Sequence, residues 1–212
     1  MEMYDSPRME IRKITVGPYS NNVYVLICKA TRKSVIIDAS FEVPRIVEAA
    51  AGSTVQAILQ THCHMDHVAG LDELKATTQA PVGIHPRDEE QFHLRGDFQL
   101  EDGATMRFGE CALRVMHTPG HSKGGLCFLH EPHCFCGDTV FPGGPGKTWS
   151  ARDFDSLLQS ITKRLYVLPD DTMLYPGHGL NTTIRESKAE YAVFAAKKRS
   201  APVYGDVLWS QS

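Results

Sequence analysis

The chain has few of the features that mark membrane, secreted or nucleic-acid-binding proteins. None of its apolar runs approaches the roughly 20 residues that a membrane-spanning helix needs. Its 22 Lys and Arg against 25 Asp and Glu give a net charge of −3, so no basic excess is available to neutralise phosphates. Residues 1–13 contain acidic side chains and lack the apolar core of a signal peptide. We therefore expect neither a membrane protein nor a general nucleic-acid binder.

Cysteine is also sparse, with six residues in a chain of 212. A chain of this length can bury a substantial core without disulfides, and no secretion signal is visible. The six thiols are therefore predicted to be reduced, which indicates a cytoplasmic protein. Cys134 and Cys136 form a C-x-C pair on a predicted strand, so both should pack on one face of the sheet.

Hydrophobic periodicity predicts one α/β domain over residues 1–212. Strand-like runs come first (MEIRKITV, NNVYVLIC and SVIIDA), a short helix follows at VPRIVEAAA, and the strand–helix order then repeats. A β-rich stretch covers roughly residues 98–136. Helices are predicted from Ser150 to Leu165 and from Thr183 to the basic residues at 197–199. Ser150 with Asp153 and Thr183 with Glu186 have the spacing of a capping box at the start of these helices. No linker or low-complexity tract divides the chain, and the pattern is typical of layered sheets and helices.

Candidate ligand residues follow four of the strand-like runs. THCHMDH follows VQAIL after a single residue, Gln60. The runs CALRVM, HCFCG and TMLYP lead into HTPGHS, GDT and PGHG. Turns at one edge of a rigid sheet are where functional side chains converge. Imidazoles and carboxylates are suitable ligands for Zn²⁺, Fe or Mn. The candidate ligands are His62, His64, Asp66, His67, His117, Asp138 and His178.

This set resembles the ligand signature of the metallo-β-lactamase superfamily, in the family's order and over most of the chain. The resemblance implies a four-layer αββα sandwich with two divalent metal ions at one sheet edge, Zn²⁺ first and Fe or Mn as alternatives. One ion would be bound by His62, His64 and His117. The second would be bound by Asp66, His67 and His178. Asp138 would bridge both ions, and His121 would be a supporting hydrogen-bonding residue rather than a ligand.

The implied site has a simple chemistry. Two divalent ions contribute +4, Asp66 and Asp138 contribute −2 and a shared hydroxide −1, which leaves about +1. Such a site favours anionic or polarised carbonyl substrates and lowers the pKa of the bound water to roughly 7. The metals would polarise the carbonyl, the hydroxide would attack, and Asp66 would help to orient it.

Within the superfamily, the motifs THCHMDHVAG, HTPGHS and GDTVF look like those of glyoxalase II-like hydrolases, which cleave thioesters such as S-lactoylglutathione. Lys147 corresponds to a basic residue that contacts glutathione there, and Trp149 would form an apolar wall. Only 34 residues follow His178, so we expect the extra helical domain of true glyoxalase II to be missing. The expected partner is an anionic thioester or ester, and the sequence leaves monomer and homo-oligomer both open.

Three other interpretations remain at this stage. A persulfide dioxygenase keeps a similar ligand set with a single iron, a lactonase would use the same hydroxide, and a non-catalytic scaffold would keep the fold alone. The segment FPGGPGKT resembles part of a phosphate-binding P-loop, but Phe141 stands where that motif requires glycine. Nucleotide binding is therefore not expected.

Overall fold

The computed structural model describes residues 1–197 and 201–210 as two β-sheets packed face to face. The first sheet has seven strands in chain order: β1 (Glu2–Asp5), β2 (Met9–Val16), β3 (Asn21–Cys28), β4 (Lys33–Ile37), β5 (Thr54–Leu59), β6 (Val82–Ile84) and β7 (Phe98–Gln99). β1 to β4 are antiparallel neighbours, whereas β4 to β7 run parallel.

The second sheet has six strands in the spatial order β15-β14-β11-β10-β9-β8. Its strands are β8 (Thr105–Phe108), β9 (Cys111–His117), β10 (Leu126–His130), β11 (His133–Gly137), β14 (Met173–Pro176) and β15 (Thr182–Thr183). The short strands β12 (Val140–Phe141) and β13 (Gly144–Pro145) pair only with each other among the described strands. β11 and β14 are parallel, so the turns that follow them lie at the same edge.

The helices lie outside the two sheets and begin mostly where the sequence predicts. They are α1 (Val43–Ala49), α2 (Met65–Val68), α3 (Leu71–Thr78), α4 (Pro86–Phe92), α5 (Ala151–Ser160) and α6 (Ile184–Ala195). Ser150 caps α5, and a π-helical turn over Ile161–Leu165 continues it. Thr183 and Glu186 form the predicted capping box of α6. That helix ends before the predicted 197–199, of which residues 198 and 199 lie outside the described part of the chain.

Three apolar clusters confirm the αββα arrangement. The central strands are apolar on both faces: in β3, Leu26 faces the other sheet, whereas Val25 faces α1 and α3. The same alternation in β11 turns Phe135 inward and both Cys134 and Cys136 outward against α5 and α6. The predicted placement of this cysteine pair on one face is therefore confirmed. All six cysteines are free and buried.

The C-terminal segment packs on the chain's own core. Trp209 is 1% exposed, and its ring centroid lies 4.6 Å from that of Phe194 on α6. The Trp209 backbone N–H donates to Gly143 O (2.8 Å), which fixes the segment to the loop between β12 and β13. In the described residues, every helix is too short or too polar to cross a bilayer.

Candidate metal centre

The loop after β5 places four polar side chains at the edge where the two sheets meet. β5 ends at Leu59, and the chain stays extended to His64, where the single turn of α2 begins. Gly70 ends this turn so close to the preceding loop that a Cβ would overlap the carbonyl oxygen of Ser40. Backbone hydrogen bonds from Ala39 N to His67 O (3.0 Å) and from Gly70 N to Ala39 O (2.9 Å) hold the turn against the end of β4. Backbone hydrogen bonds therefore fix the position of the loop that carries these four side chains.

One cluster of candidate ligands contains His62, His64 and His121. His64 Nδ1 lies 2.8 Å from His121 Nε2. His121 Nδ1 donates to the carbonyl oxygen of Lys147 (2.8 Å), so its Nε2 keeps a lone pair. His62 Nδ1 lies 3.1 Å from Thr61 Oγ1, and its Nε2 is buried without a partner among the described residues. A buried nitrogen with no partner is costly unless a ligand binds it.

A second cluster contains Asp66, His67 and His178. His67 Nε2 and His178 Nε2 lie only 3.2 Å apart. The other ring nitrogens both act as donors, from His67 Nδ1 to Asp38 Oδ2 (2.8 Å) and from His178 Nδ1 to Tyr19 O (2.9 Å). Two lone pairs therefore face each other at hydrogen-bond distance, which is favourable only with a positive charge between them.

The electrostatics of this second cluster favour a cation. Burial opposes protonation of His67, but Asp138 and Asp38 outweigh it and raise the pKa of His67 to about 9. Burial likewise raises the pKa of Asp66, but hydrogen bonding to His178 and the nearby His67 hold it well below its usual range. The cluster therefore stabilises a positive charge. A metal ion could take the place of the proton between His67 Nε2 and His178 Nε2.

Asp138 lies between the two clusters. Its Oδ1 is 3.5 Å from His67 Nε2, and its Oδ2 is 3.5 Å from both His121 Nε2 and His178 Nε2. The Oδ1 atom is buried without a hydrogen-bond partner among the described residues. Asp138 also groups with His62 and His67 as a third candidate set. The carboxylate is therefore within reach of both candidate ligand clusters.

The prediction that His117 joins the first cluster is wrong. His117 is the last residue of β9, its Nε2 lies 2.9 Å from Lys123 O, and its ring stacks on His85 with centroids 4.1 Å apart. It belongs to none of the three candidate sets in the described residues. His121, predicted as a supporting residue, takes its place.

The turn between β9 and β10 explains this exchange. Gly120 lies so close to α5 that a Cβ would overlap the backbone of Leu157, so the turn lies against this helix and directs His121 towards the cluster. Both Pro-Gly-His segments, at 119–121 and 176–178, place the histidine after glycine near the metal centre. This repeated Pro-Gly-His pattern is the sequence signal that identifies His121.

Asp38 is a residue of the candidate site that the sequence did not single out. It is 1% exposed, and its carboxylate accepts hydrogen bonds from Thr61 N (2.7 Å) and Thr61 Oγ1 (2.8 Å) as well as from His67 Nδ1. Thr61 Oγ1 in turn contacts His62 Nδ1, so one buried carboxylate orients two candidate ligands. The available signal was an aspartate at the end of the buried run SVIIDA.

The predicted substrate-binding residues border the site. Trp149 is 56% exposed, and its ring centroid lies 5.2 Å from that of His64 and 5.5 Å from that of His121. Lys147 contributes its carbonyl to His121, while its Nζ lies 3.1 Å from Asp206 Oδ2. Substrate binding by these two residues stays a prediction.

The model of one protein family, described as the metallo-beta-lactamase superfamily, matches residues 16–178, a segment that spans both clusters. The chain belongs to this superfamily. The predicted relationship and the predicted αββα fold are thus both confirmed.

Curated relatives and solved structures show what the chain is similar to within the superfamily. A probable polyketide biosynthesis zinc-dependent hydrolase of Bacillus velezensis is 33% identical over 168 residues, 76% of this chain and 73% of that protein. A hydroxyacylglutathione hydrolase of Nitrosococcus oceani is 33% identical over 170 residues, 77% of this chain but only 64% of that protein. A solved structure titled as a di-iron-bound form of TTHA1623 superposes with a TM-score of 0.69 at 29% identity, covering 84% of this chain and 96% of the other.

The side chains in place fit the metal ions that the superfamily relationship implies. The two clusters and Asp138 offer only imidazole nitrogens and carboxylate oxygens, the donor types that Zn²⁺ and iron accept. Cys63 lies between two of these ligands in sequence, but its side chain points into the cluster under α1 and α3, so it takes no part. The unpartnered atoms His62 Nε2 and Asp138 Oδ1 are those that an ion would satisfy.

Proposed function

We propose that the protein is a metal-dependent hydrolase that cleaves a thioester or a related ester or lactone with two divalent ions. The observation that carries this proposal is the position of Asp138, whose carboxylate lies 3.5 Å from His121 Nε2 of one cluster and from both His67 Nε2 and His178 Nε2 of the other. A carboxylate shared in this way is the arrangement expected of a two-metal hydrolytic site. The names of the similar hydrolases support hydrolysis as the type of reaction.

The identity of the metal is part of the proposal. Zn²⁺ is our first candidate because one similar hydrolase is named as zinc-dependent. Iron is the second because a similar structure is titled as a di-iron-bound form. We propose His62, His64 and His121 as ligands of one ion, Asp66, His67 and His178 as ligands of the other, and Asp138 as the ligand that both share.

The chain's own residues have distinct tasks in this reaction. When bound, the ions would polarise the substrate carbonyl and provide a hydroxide nucleophile near neutral pH. Asn21 donates a hydrogen bond to Asp66 Oδ2 (2.7 Å), which fixes the orientation of that carboxylate. Trp149 would exclude water from one side of the substrate and provide an apolar contact. A thiolate leaves readily, so a thioester needs no strong general acid.

The proposed substrate is a small anionic thioester or ester, with neither nucleic acid nor a membrane as partner. Lys147 is the residue that the sequence suggests as an anchor for a substrate carboxylate. If it has this role, Lys147→Ala raises KM for acidic substrates and affects neutral ones less. The cytoplasmic location stays a prediction.

Replacement of the shared carboxylate tests the two-metal proposal. We expect Asp138→Ala to reduce both the bound metal per chain and the hydrolysis of a thioester and lactone panel, because both clusters lose a ligand. Asp171→Ala, at the opposite end of β14, is the matched control and should change neither quantity. Unchanged metal content and activity in Asp138→Ala would refute the proposal. So would one iron per wild-type chain together with oxygen consumption on glutathione persulfide.

A further inference from the structure

A cavity of about 480 Å³ opens beside the metal centre. This volume falls within the roughly 300–1,000 Å³ of small-molecule sites. Its wall includes His121, a member of the first cluster, and Trp149, which contacts that cluster, so the cavity and the proposed reaction centre are continuous. A substrate with its carbonyl at the metals can therefore extend into this space.

Three cationic side chains line this cavity from three different elements. Arg87 lies in the first turn of α4, Lys123 in the turn between β9 and β10, and Arg152 in the first turn of α5. None of the three is paired with a carboxylate in the part of the chain that the structure describes. Lys147 differs in this respect, because its Nζ already lies 3.1 Å from Asp206.

The cavity has an excess of positive charge. Its one acidic lining residue is Asp153, whose carboxylate accepts a hydrogen bond from Ser150 Oγ (2.7 Å). Three cations and one carboxylate leave a net charge of about +2 on the wall. Arginine guanidinium groups bind carboxylates and phosphates in a bidentate manner, and lysine adds a point charge.

The backbone that carries Arg87 and Lys123 is fixed by a buried carboxylate. Asp88, next to Arg87, is 1% exposed and accepts hydrogen bonds from Ser122 Oγ (3.0 Å) and Gly124 N (2.6 Å), on either side of Lys123. It also accepts from Cys63 N (3.0 Å) in the ligand loop. Asp88 thus ties α4, the β9–β10 turn and the candidate ligand loop together, so the backbone positions of Arg87 and Lys123 relative to that loop are set before a ligand binds.

We propose that this cavity binds a doubly negative group of the substrate, a dicarboxylate or a phosphate monoester, through Arg87, Lys123 and Arg152. The inference rests on the proposed hydrolase function and names the substrate class: a thioester or ester with such a group on the part that passes Trp149. It assigns the main anion site to this cavity and not to Lys147.

The test compares two substrates that differ only in charge. S-acetylmercaptosuccinate carries two carboxylates, and its diamide is the neutral analogue. We expect the variant Arg87→Gln/Lys123→Gln/Arg152→Gln to lose about 10–100-fold in kcat/KM for the diacid, mainly through KM, because each partly solvated charge pair contributes modestly. The diamide should change less than about 3-fold, since it makes no charged contact.

A control variant matches the change in charge. Lys33→Gln/Arg107→Gln/Arg185→Gln removes one lysine and two arginines at the opposite end of the sheets, and it should retain the diacid preference of the wild type. Metal content and circular dichroism of both triple variants check folding. Equal losses on both substrates, no loss on the diacid, or full reproduction of the loss by Lys147→Ala alone would each overturn the proposal.

A binding measurement separates this inference from the proposed function. Calorimetry with phenyl phosphate and with phthalate on the metal-loaded protein requires no turnover and compares the phosphate with the dicarboxylate. We expect the cavity variant to bind the preferred dianion about 10-fold or more weakly than the charge-matched control. If neither substrate is hydrolysed but this difference appears, the hydrolase proposal fails and the anion site stands. Equal affinities in the two variants refute the anion site whatever the activity.

Discussion

At the scale of single residues, the two histidines of the HTPGHS segment have different environments. His121 follows a glycine that lies against α5, and its Nε2 faces His64 and Asp138. His117 ends β9 and contacts Lys123 O. We therefore expect His121→Ala to lower the bound metal and to reduce hydrolysis by at least about 100-fold, whereas His117→Ala retains both.

Metal analysis of the two purified variants, alongside thioester hydrolysis, measures this difference. His117→Ala is the matched control, since it removes the same side chain from the same HTPGHS segment. A loss of metal from His117→Ala equal to that from His121→Ala would return His117 to the ligand set.

We expect Asp38 to affect metal binding through the orientation of its neighbours. Its Oδ2 accepts the His67 Nδ1 proton, which leaves Nε2 free for the metal. An amide at this position can present its NH₂ group to His67 and favour the opposite tautomer. We expect Asp38→Asn to weaken metal binding by about 10–100-fold, as is usual for carboxylates behind a ligating histidine.

A titration of each variant against a metal chelator of known affinity gives this value. Asp171→Asn, at the far end of β14, should behave as the wild type. An unchanged metal affinity in folded Asp38→Asn would show that Asp38 serves only the backbone of Thr61.

At the scale of elements, the turn from Gly120 to Ser122 couples helix α5 to the metal centre. Gly120 has φ +143°, and an added Cβ would overlap the backbone of Leu157. We expect Gly120→Ala to lower the free energy of unfolding by about 2–4 kcal/mol, from backbone strain together with overpacking. Denaturant unfolding with the metals bound measures this change.

Gly103→Ala isolates the backbone contribution to that change. Gly103 also has a positive φ, +79°, but a Cβ added there would meet no neighbouring atom within 4 Å among the described residues. We expect this variant to lose only about 1 kcal/mol. Equal losses in the two variants would mean that contact with Leu157 contributes nothing to the stability of the turn.

Elements with strong local signals were predicted well from the sequence. The apolar residues of α5 and of the π-helical turn that continues it (Phe154, Leu157, Ile161 and Leu165) are buried, and the capping residues Ser150 and Thr183 both act as predicted. The roles of Asp38 and His121 depend instead on how distant turns meet. Spacing within HTPGHS alone does not decide whether residue 117 or 121 reaches His64, because that depends on the contact between Gly120 and Leu157. Only the comparison with the second Pro-Gly-His segment, at 176–178, favours His121 from the sequence.

At the scale of the whole molecule, the proposed metal ligands come from both halves of the sandwich. His62, His64, Asp66 and His67 follow β5 of the first sheet, whereas His121, Asp138 and His178 come from turns of the second. Beyond these side chains, Asn22 Nδ2 donates to Pro176 O (3.0 Å) and Tyr24 Oη donates to the same atom (2.6 Å), so β3 is tied to the end of β14. Bound ions would therefore connect elements that are far apart in sequence.

This connection predicts that metal removal destabilises the entire fold. A ligand that binds only the native state at 100 times its Kd contributes about 2.7 kcal/mol. For a chain of this size each 1 kcal/mol shifts Tm by roughly 2–4 °C. We therefore expect a chelator to lower Tm by about 5–10 °C, and Zn²⁺ in excess of the chelator to restore it. Scanning calorimetry of the wild type and Asp138→Ala measures the effect, which should be much smaller in the variant because it holds less metal. A chelator-treated wild type that is free of metal and melts at its original temperature would contradict the idea that the ions hold the two sheets together.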